Sequence, residues 1–134
     1  MSQPRILVID DSVANLAFLQ YLLGQHHFEV IVANTGKSGL ALAKQTAPDI
    51  ILLDVIMPDW DGYETWYHIK QEVDLKEIPI LFLSARDPTL QMRERFAIQT
   101  VDYICKPFQE AELLNRLKAY IAHNTRGQKR PTSV

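Results

Sequence analysis

Three aspartates, one serine and one lysine carry the chemistry open to this chain. Asp10 and Asp11 follow the apolar run "ILVI", and Asp54 follows "DIILL". Ser84 closes "IPILFL", and Lys106 comes just after the weaker run "VDYI" and Cys105. Carboxylates packed together repel one another and cannot all stay charged at neutral pH without compensation. Lys106 offers one positive charge. A hard divalent cation offers two and prefers oxygen ligands, and a site that keeps its waters suits Mg²⁺ or Mn²⁺. The chain has no Cys/His set of the kind that holds zinc. A carboxylate beside a cation, faced by a hydroxyl and a lysine, suits phosphoryl transfer. The cation and the ammonium stabilise the phosphoryl oxygens while the carboxylate attacks in line, giving an acyl phosphate.

Each residue alone also has an ordinary use. An aspartate can cap the helix that follows it, a serine can close a turn, and a lysine can be a solvated surface charge. Only the set points to chemistry, and the set requires a fold that brings the ends of separate runs to one place.

The hydrophobic pattern supplies that fold. Apolar runs at 6–9, 28–33, 49–53 and 78–83, with a weaker one at 101–104, alternate with segments of helical character. Leu16, Leu19 and Leu23 recur at helical spacing behind the N-cap residue Ser12, and Leu113, Leu117 and Tyr120 do so in the last segment. The order is βα five times over. Strands without polar alternation indicate a parallel sheet covered on both faces, which right-handed crossovers make an open doubly wound α/β sandwich. In such sheets function gathers outside the carboxyl ends of the strands. The residues after each run are therefore expected to meet at one edge.

Composition agrees with one ordinary domain: 134 residues, 47% hydrophobic, 22% charged, net charge −2. That charge offers no general nucleic-acid or membrane surface. The start "MSQPRILVIDDS" lacks a signal-peptide pattern, and no apolar run approaches a membrane span. A single cysteine suits a reducing cytoplasm. The domain is expected over 1–123, with a mobile basic tail over 124–134 that carries Arg126, Lys129 and Arg130.

With these residues in this order, the chain resembles the receiver domains of two-component response regulators. "VIDDS", "ILLDVIMPDWDG", "LFLSA" and "DYICKPF" carry the resemblance, over about Ile6 to Ile121. It implies a (βα)5 flavodoxin-like, three-layer fold with strand order 2-1-3-4-5. It implies Asp54 as phosphoacceptor, Asp11 as a direct Mg²⁺ ligand, Asp10 acting largely through metal-bound water, and the Ile56 carbonyl as a further ligand. Ser84 and Tyr103 match the switch positions, Lys106 the lysine that pairs with the phosphoryl group, and Lys106-Pro107 a cis peptide. The implied donor is a phosphohistidine on a sensor histidine kinase or a histidine phosphotransfer protein. The implied output is a downstream protein that reads the face formed by the fourth helix, fifth strand and fifth helix, with homodimerisation as a further option.

Several positions depart from the pattern or need a place. Gln99 and Thr100 stand where small residues are usual. Cys105 is expected to be a small buried filler. Ile56 and Arg86 occupy positions that influence acyl-phosphate lifetime in the family, and an apolar Ile56 near the entry is expected to hinder water. Phe18, Tyr21 and Leu22 form either a broad core face or a docking surface for the phosphodonor. Trp60 is expected near Asp54. A dehalogenase-type phosphatase would need an aspartate at Ile56, and a nucleotide-binding module a glycine-rich first loop. A phosphorylation-independent receiver, acting only as a protein-interaction module, would have lost Asp54, the acidic pair or Lys106. All are present. A receiver excised from a longer kinase or cyclase regulator stays open.

Overall fold

The computed structural model describes residues 3–98 and 101–127. Ten elements alternate: β1 (Arg5–Ile9), α1 (Val13–Gln25), β2 (Glu29–Ala33), α2 (Gly36–Thr46), β3 (Ile50–Asp54), α3 (Gly62–Gln71), β4 (Ile80–Ser84), α4 (Thr89–Phe96), β5 (Asp102–Cys105) and α5 (Glu110–Gly127). All strand pairs are parallel and the order is β2-β1-β3-β4-β5. This is the doubly wound, flavodoxin-like sandwich expected of the run pattern. Helix α5 continues past residue 123 to Gly127, and residues 128–134 lie outside the described residues.

Two cores explain why the strands lack polar alternation. Ile6, Val8, Ile50, Leu52, Leu81 and Leu83 face α1 and α5, where Leu16, Leu19, Leu23, Leu113 and Leu117 close the layer. Leu7, Ile9, Ile51, Leu53 and Phe82 face the other way, against Ala43 of α2, Ile69 of α3 and Met92 of α4. Successive strand residues point to opposite faces, so a strand covered on both sides must be apolar at every position. Edge strand β2 escapes this and is only half-buried.

Local signals start the helices. Ser12 caps α1 by accepting the Asn15 N–H, Thr35 and Ser38 form a capping box on α2, and Asp61 caps α3 by accepting the Glu64 N–H. Asp59 turns the β3–α3 loop in the left-handed region at φ 61°. The two acidic residues of that loop therefore do turn and cap work, as their spacing suggests.

Helix α4 is held differently from the rest. Its one buried residue is Met92. Its remaining anchors face α3: Arg95 pairs with Asp61 at 3.0 Å and Glu64 at 3.3 Å and lies over the Tyr63 ring, Phe96 packs on the rings of Trp66 and Tyr67, and Gln91 accepts the Tyr63 hydroxyl.

Gly62 ties α3 to the end of β3. Its N–H donates to the Val55 carbonyl at 2.7 Å, and a Cβ there would lie 2.5 Å from the Asp54 carbonyl oxygen and 2.7 Å from the Val55 Cα. Both are backbone atoms that cannot swing aside. Gly62→Ala is therefore expected to lose about 1–3 kcal/mol in denaturant unfolding through overpacking, although alanine favours a helix by propensity. A stabilised variant would show that the backbone yields.

Candidate functional site

The register brings the polar residues together. Ile9 pairs with Leu53, so Asp10 and Asp54 leave neighbouring strands side by side. Asp54 pairs with Leu83, and Ser84 with Cys105, which places Ser84 and Lys106 along the same edge. β1 lies between β2 and β3, so the chain direction across the sheet reverses beside it, and a crevice opens at such a switch point.

One carboxylate oxygen each from Asp10, Asp11 and Asp54 lies within 4.8 Å of the others. Asp10 is 2% exposed and Asp54 7%, while Asp11 is open to solvent. Lys106 Nζ donates to Asp54 Oδ1 at 2.7 Å. Asp10 accepts the Ser12 backbone N–H at 2.9 Å and the Asn15 side-chain amide at 3.3 Å. The Ser84 hydroxyl donates to the Arg86 carbonyl at 2.6 Å and accepts the Arg86 N–H at 3.2 Å. The Ser84 side chain is thus tied to the β4–α4 loop. The Lys106-Pro107 peptide is cis.

Burial raises the Asp54 carboxyl above the usual aspartate range; the charges of Asp10 and Asp11 push the same way. Lys106 opposes them through its hydrogen bond and charge without cancelling them. Asp10 and Asp11 make no ion pair among the described residues. The donor set is all oxygen and over-supplied with negative charge, which fits a small divalent cation of the Mg²⁺ type.

Beside the carboxylates lies a groove of about 460 Å³ between α1 and the segment after β5. Asn15, Phe18, Leu83, Lys106 and Phe108 line it together with Asp10. Phe18 (45%) and Tyr21 (69%) are exposed while Leu22 is buried, so the three residues divide between the surface and the core. Tyr103 is half-buried against the core on the α3–α4 side. Ile56, two residues after Asp54, is 78% exposed.

One expectation needs correction. Cys105 is not buried: as the last residue of an edge strand it is exposed, with its Sγ against the Ala85 and Lys106 carbonyls. Trp60 makes its ring contacts on the α2–α3 side, stacked on His68 at 3.9 Å beneath the Lys37 ammonium. Gln99 and Thr100 lie outside the described residues. Asn15 was not legible as a site residue, since it reads as an ordinary first-turn polar residue; the only available signal was its place one turn into the helix after the acidic pair.

The fold is a doubly wound parallel sheet with an acidic cleft at its carboxyl edge. The chain belongs to the response regulator receiver domain family, whose model matches residues 6–118. It is 30% identical to protein PilH of Pseudomonas aeruginosa over 118 residues, covering 88% of this chain and 98% of that protein. Other curated relatives are longer: the chain spans 25% of response regulator PleD of Caulobacter vibrioides and 48% of the regulator PhoP of Bacillus subtilis. Among solved structures, chemotaxis protein CheY4 of Vibrio cholerae superposes with a TM-score of 0.80 at 28% identity, covering 89% of this chain and 99% of that one. The receiver domain of sensor histidine kinase PA1611 from Pseudomonas aeruginosa, described with a magnesium ion coordinated in its active site cleft, gives 0.78 at 28%, covering 91% and 99%.

The raised Asp54 pKa has a consequence for stability. A carboxyl whose folded pKa lies above its unfolded value binds more protons in the native state, so its contribution to stability falls as pH rises from about 4 through the folded pKa. In EDTA, the melting temperature of Asp54→Asn relative to wild type is expected to climb between pH 4 and pH 7. Mg²⁺ at pH 7 should shrink the gap. A difference independent of pH would show that Asp54 carries no such burden.

Proposed function

We propose that Asp54 accepts a phosphoryl group from a phosphohistidine donor, in a reaction that requires Mg²⁺ (or Mn²⁺), and that the modified domain then switches a protein-interaction surface. The carrying observation is the 2.7 Å contact of Lys106 with an Asp54 carboxylate that is buried beside Asp10 and Asp11. A structural ion pair needs one acid, whereas this site assembles three at the end of a rigid sheet.

Asp54 is the nucleophile. Its carboxylate oxygen forms the new bond to phosphorus as the bond from phosphorus to the donor imidazole nitrogen breaks, and that electron pair returns to the imidazole. Asp11, Asp54 and the Ile56 carbonyl would hold the cation, with Asp10 acting largely through its water. When bound, the cation neutralises charge on the phosphoryl oxygens. Lys106 holds its ammonium at Asp54 and is in place to pair with an arriving phosphoryl oxygen.

The product adds roughly 1.5 to 2 negative charges and three acceptor oxygens. Ser84 can answer them only by giving up its bond to the Arg86 carbonyl, which would reshape the β4–α4 loop. Tyr103 borders the same side and would turn inward as the serine leaves. The face formed by α4, β5 and α5 would then be read by a partner. Receiver domains interact with histidine kinases and downstream effectors. For this chain we assign the donor to a sensor histidine kinase or a histidine phosphotransfer protein in the cytoplasm, docking over exposed Phe18 and Tyr21 of α1. No helix among the described residues is long and apolar enough to cross a membrane.

Incubation with Mg²⁺ and acetyl phosphate, followed by intact-mass analysis, tests this reading. Wild type should gain one phosphoryl group and Asp54→Asn none. Lys106→Ala should slow phosphorylation roughly 10- to 100-fold, since it removes one preorganised positive charge. A folded wild type that gains no adduct would refute the proposal.

The lifetime of the adduct tests Ile56. An exposed apolar side chain at the entry should obstruct attacking water. Wild-type phosphoprotein is expected to outlast seconds at room temperature, and Ile56→Asn to hydrolyse several-fold faster. Equal decay of the two proteins would remove Ile56 from the account.

A further inference from the structure

We infer that Asn15 is a positioning residue for the acidic cluster, holding the buried Asp10 carboxylate in the orientation a divalent cation needs. The inference rests on the reading of Asp10, Asp11 and Asp54 as a cation site. It comes from a hydrogen-bond ring at the start of α1. The Ser12 backbone N–H donates to Asp10 Oδ1 at 2.9 Å, the Asn15 backbone N–H donates to Ser12 Oγ at 3.2 Å, and the Asn15 amide donates to Asp10 Oδ2 at 3.3 Å.

The third bond is unusual for its position. Asn15 is the third residue of α1, where a side chain commonly reaches back to the N–H of the cap residue. Ser38 does this on α2 with the Thr35 N–H. On α1 the equivalent N–H, that of Ser12, is already given to Asp10. Asn15 therefore reaches beyond the cap to Asp10 itself. Glu64, at the same position of α3, turns to His68 and Arg95 instead. A glutamate at residue 15 would put a fourth carboxylate against the cluster, whereas an amide brings a neutral donor.

The energetic reason is that Asp10 is 2% exposed and has no cationic hydrogen-bond partner among the described residues, because Lys106 is engaged with Asp54. A buried carboxylate without a counter-ion must be satisfied by neutral donors. With one N–H on each oxygen, the Asp10 carboxylate plane is held and its remaining lone pairs are left for the shared site. Outer-shell partners of metal-site carboxylates typically account for about 10- to 100-fold in affinity. Here the contact is long and Asn15 is solvent-exposed, which puts the expected effect at the low end. The same exposure means that truncation leaves no core cavity.

Calorimetric titration of the whole chain with MgCl₂ tests the assignment, and melting in EDTA serves as the control for folding. Asn15→Ala and Asn15→Leu should each weaken Mg²⁺ binding about three- to tenfold with little change in the EDTA melting temperature. Asn15→Gln, which keeps the amide, should recover most of the affinity. An Asn15→Ala dissociation constant within about twofold of wild type, or an Asn15→Gln variant as weak as Asn15→Ala, would overturn the role of Asn15. Wild type that binds no Mg²⁺ would overturn the cation site along with it, so the two failures are distinguishable.

Discussion

Mutual repulsion of three carboxylates, two of them buried, is the constraint that the rest of the structure answers. Leaving even one buried charge uncompensated is worth several kcal/mol. Yet Asp10 and Asp54 stand side by side at the ends of the two neighbouring central strands. The sheet beneath them is apolar on both faces, and Ile9 and Leu53, directly before the two acids, are fully buried. That core sets the spacing. Lys106, delivered from β5 on the far edge, and the N–H groups at the start of α1 supply partial relief. What remains is a pocket with three acidic side chains and one ammonium.

Stability is spread unevenly around this pocket. α1 and α5 are seated by several buried leucines each, whereas α4 buries Met92 alone and leans on α3 through Arg95, Gln91 and the half-buried Phe96. Elements with few buried apolar contacts lie at the low end of local stability. α4 follows the loop in which Ser84 is tied to the Arg86 carbonyl. The least firmly seated helix is therefore the one next to the hydroxyl that a phosphoryl group would pull. On the other side of β5, Asp102 accepts from both Arg116 and Tyr120, so α5 is secured to the strand by polar contacts as well as by leucines. The contrast gives a physical basis for a surface that moves at one helix while its neighbour stays in place.

Particular residues show what could be read in advance. The five runs mark the strands because strands covered on both faces must be apolar throughout, and a polar residue directly after such a run has to emerge at the carboxyl edge. Asp10, Asp54 and Ser84 were legible on that ground, and Ser12 and Asp61 as caps because capping is a local matter of one side chain and the next turn. Cys105 was misjudged because the buried interior of a strand and its exposed last position on an edge look alike in a linear pattern. Phe18 and Leu22 sit one turn apart on α1, and only the packed layer shows that one lies outside and the other inside.

The sequence by itself determined the class of fold, the strand ends and the identity of the charged groups, since these depend on hydrophobic period and on residue type. Tertiary structure alone decided what those groups do to one another. The closeness of three carboxylates and the hold of Lys106 on Asp54 across 52 positions of chain depend on strand order and register. Electrostatic and hydrogen-bond energies fall off over a few ångströms, and separation along the chain carries no information at that scale.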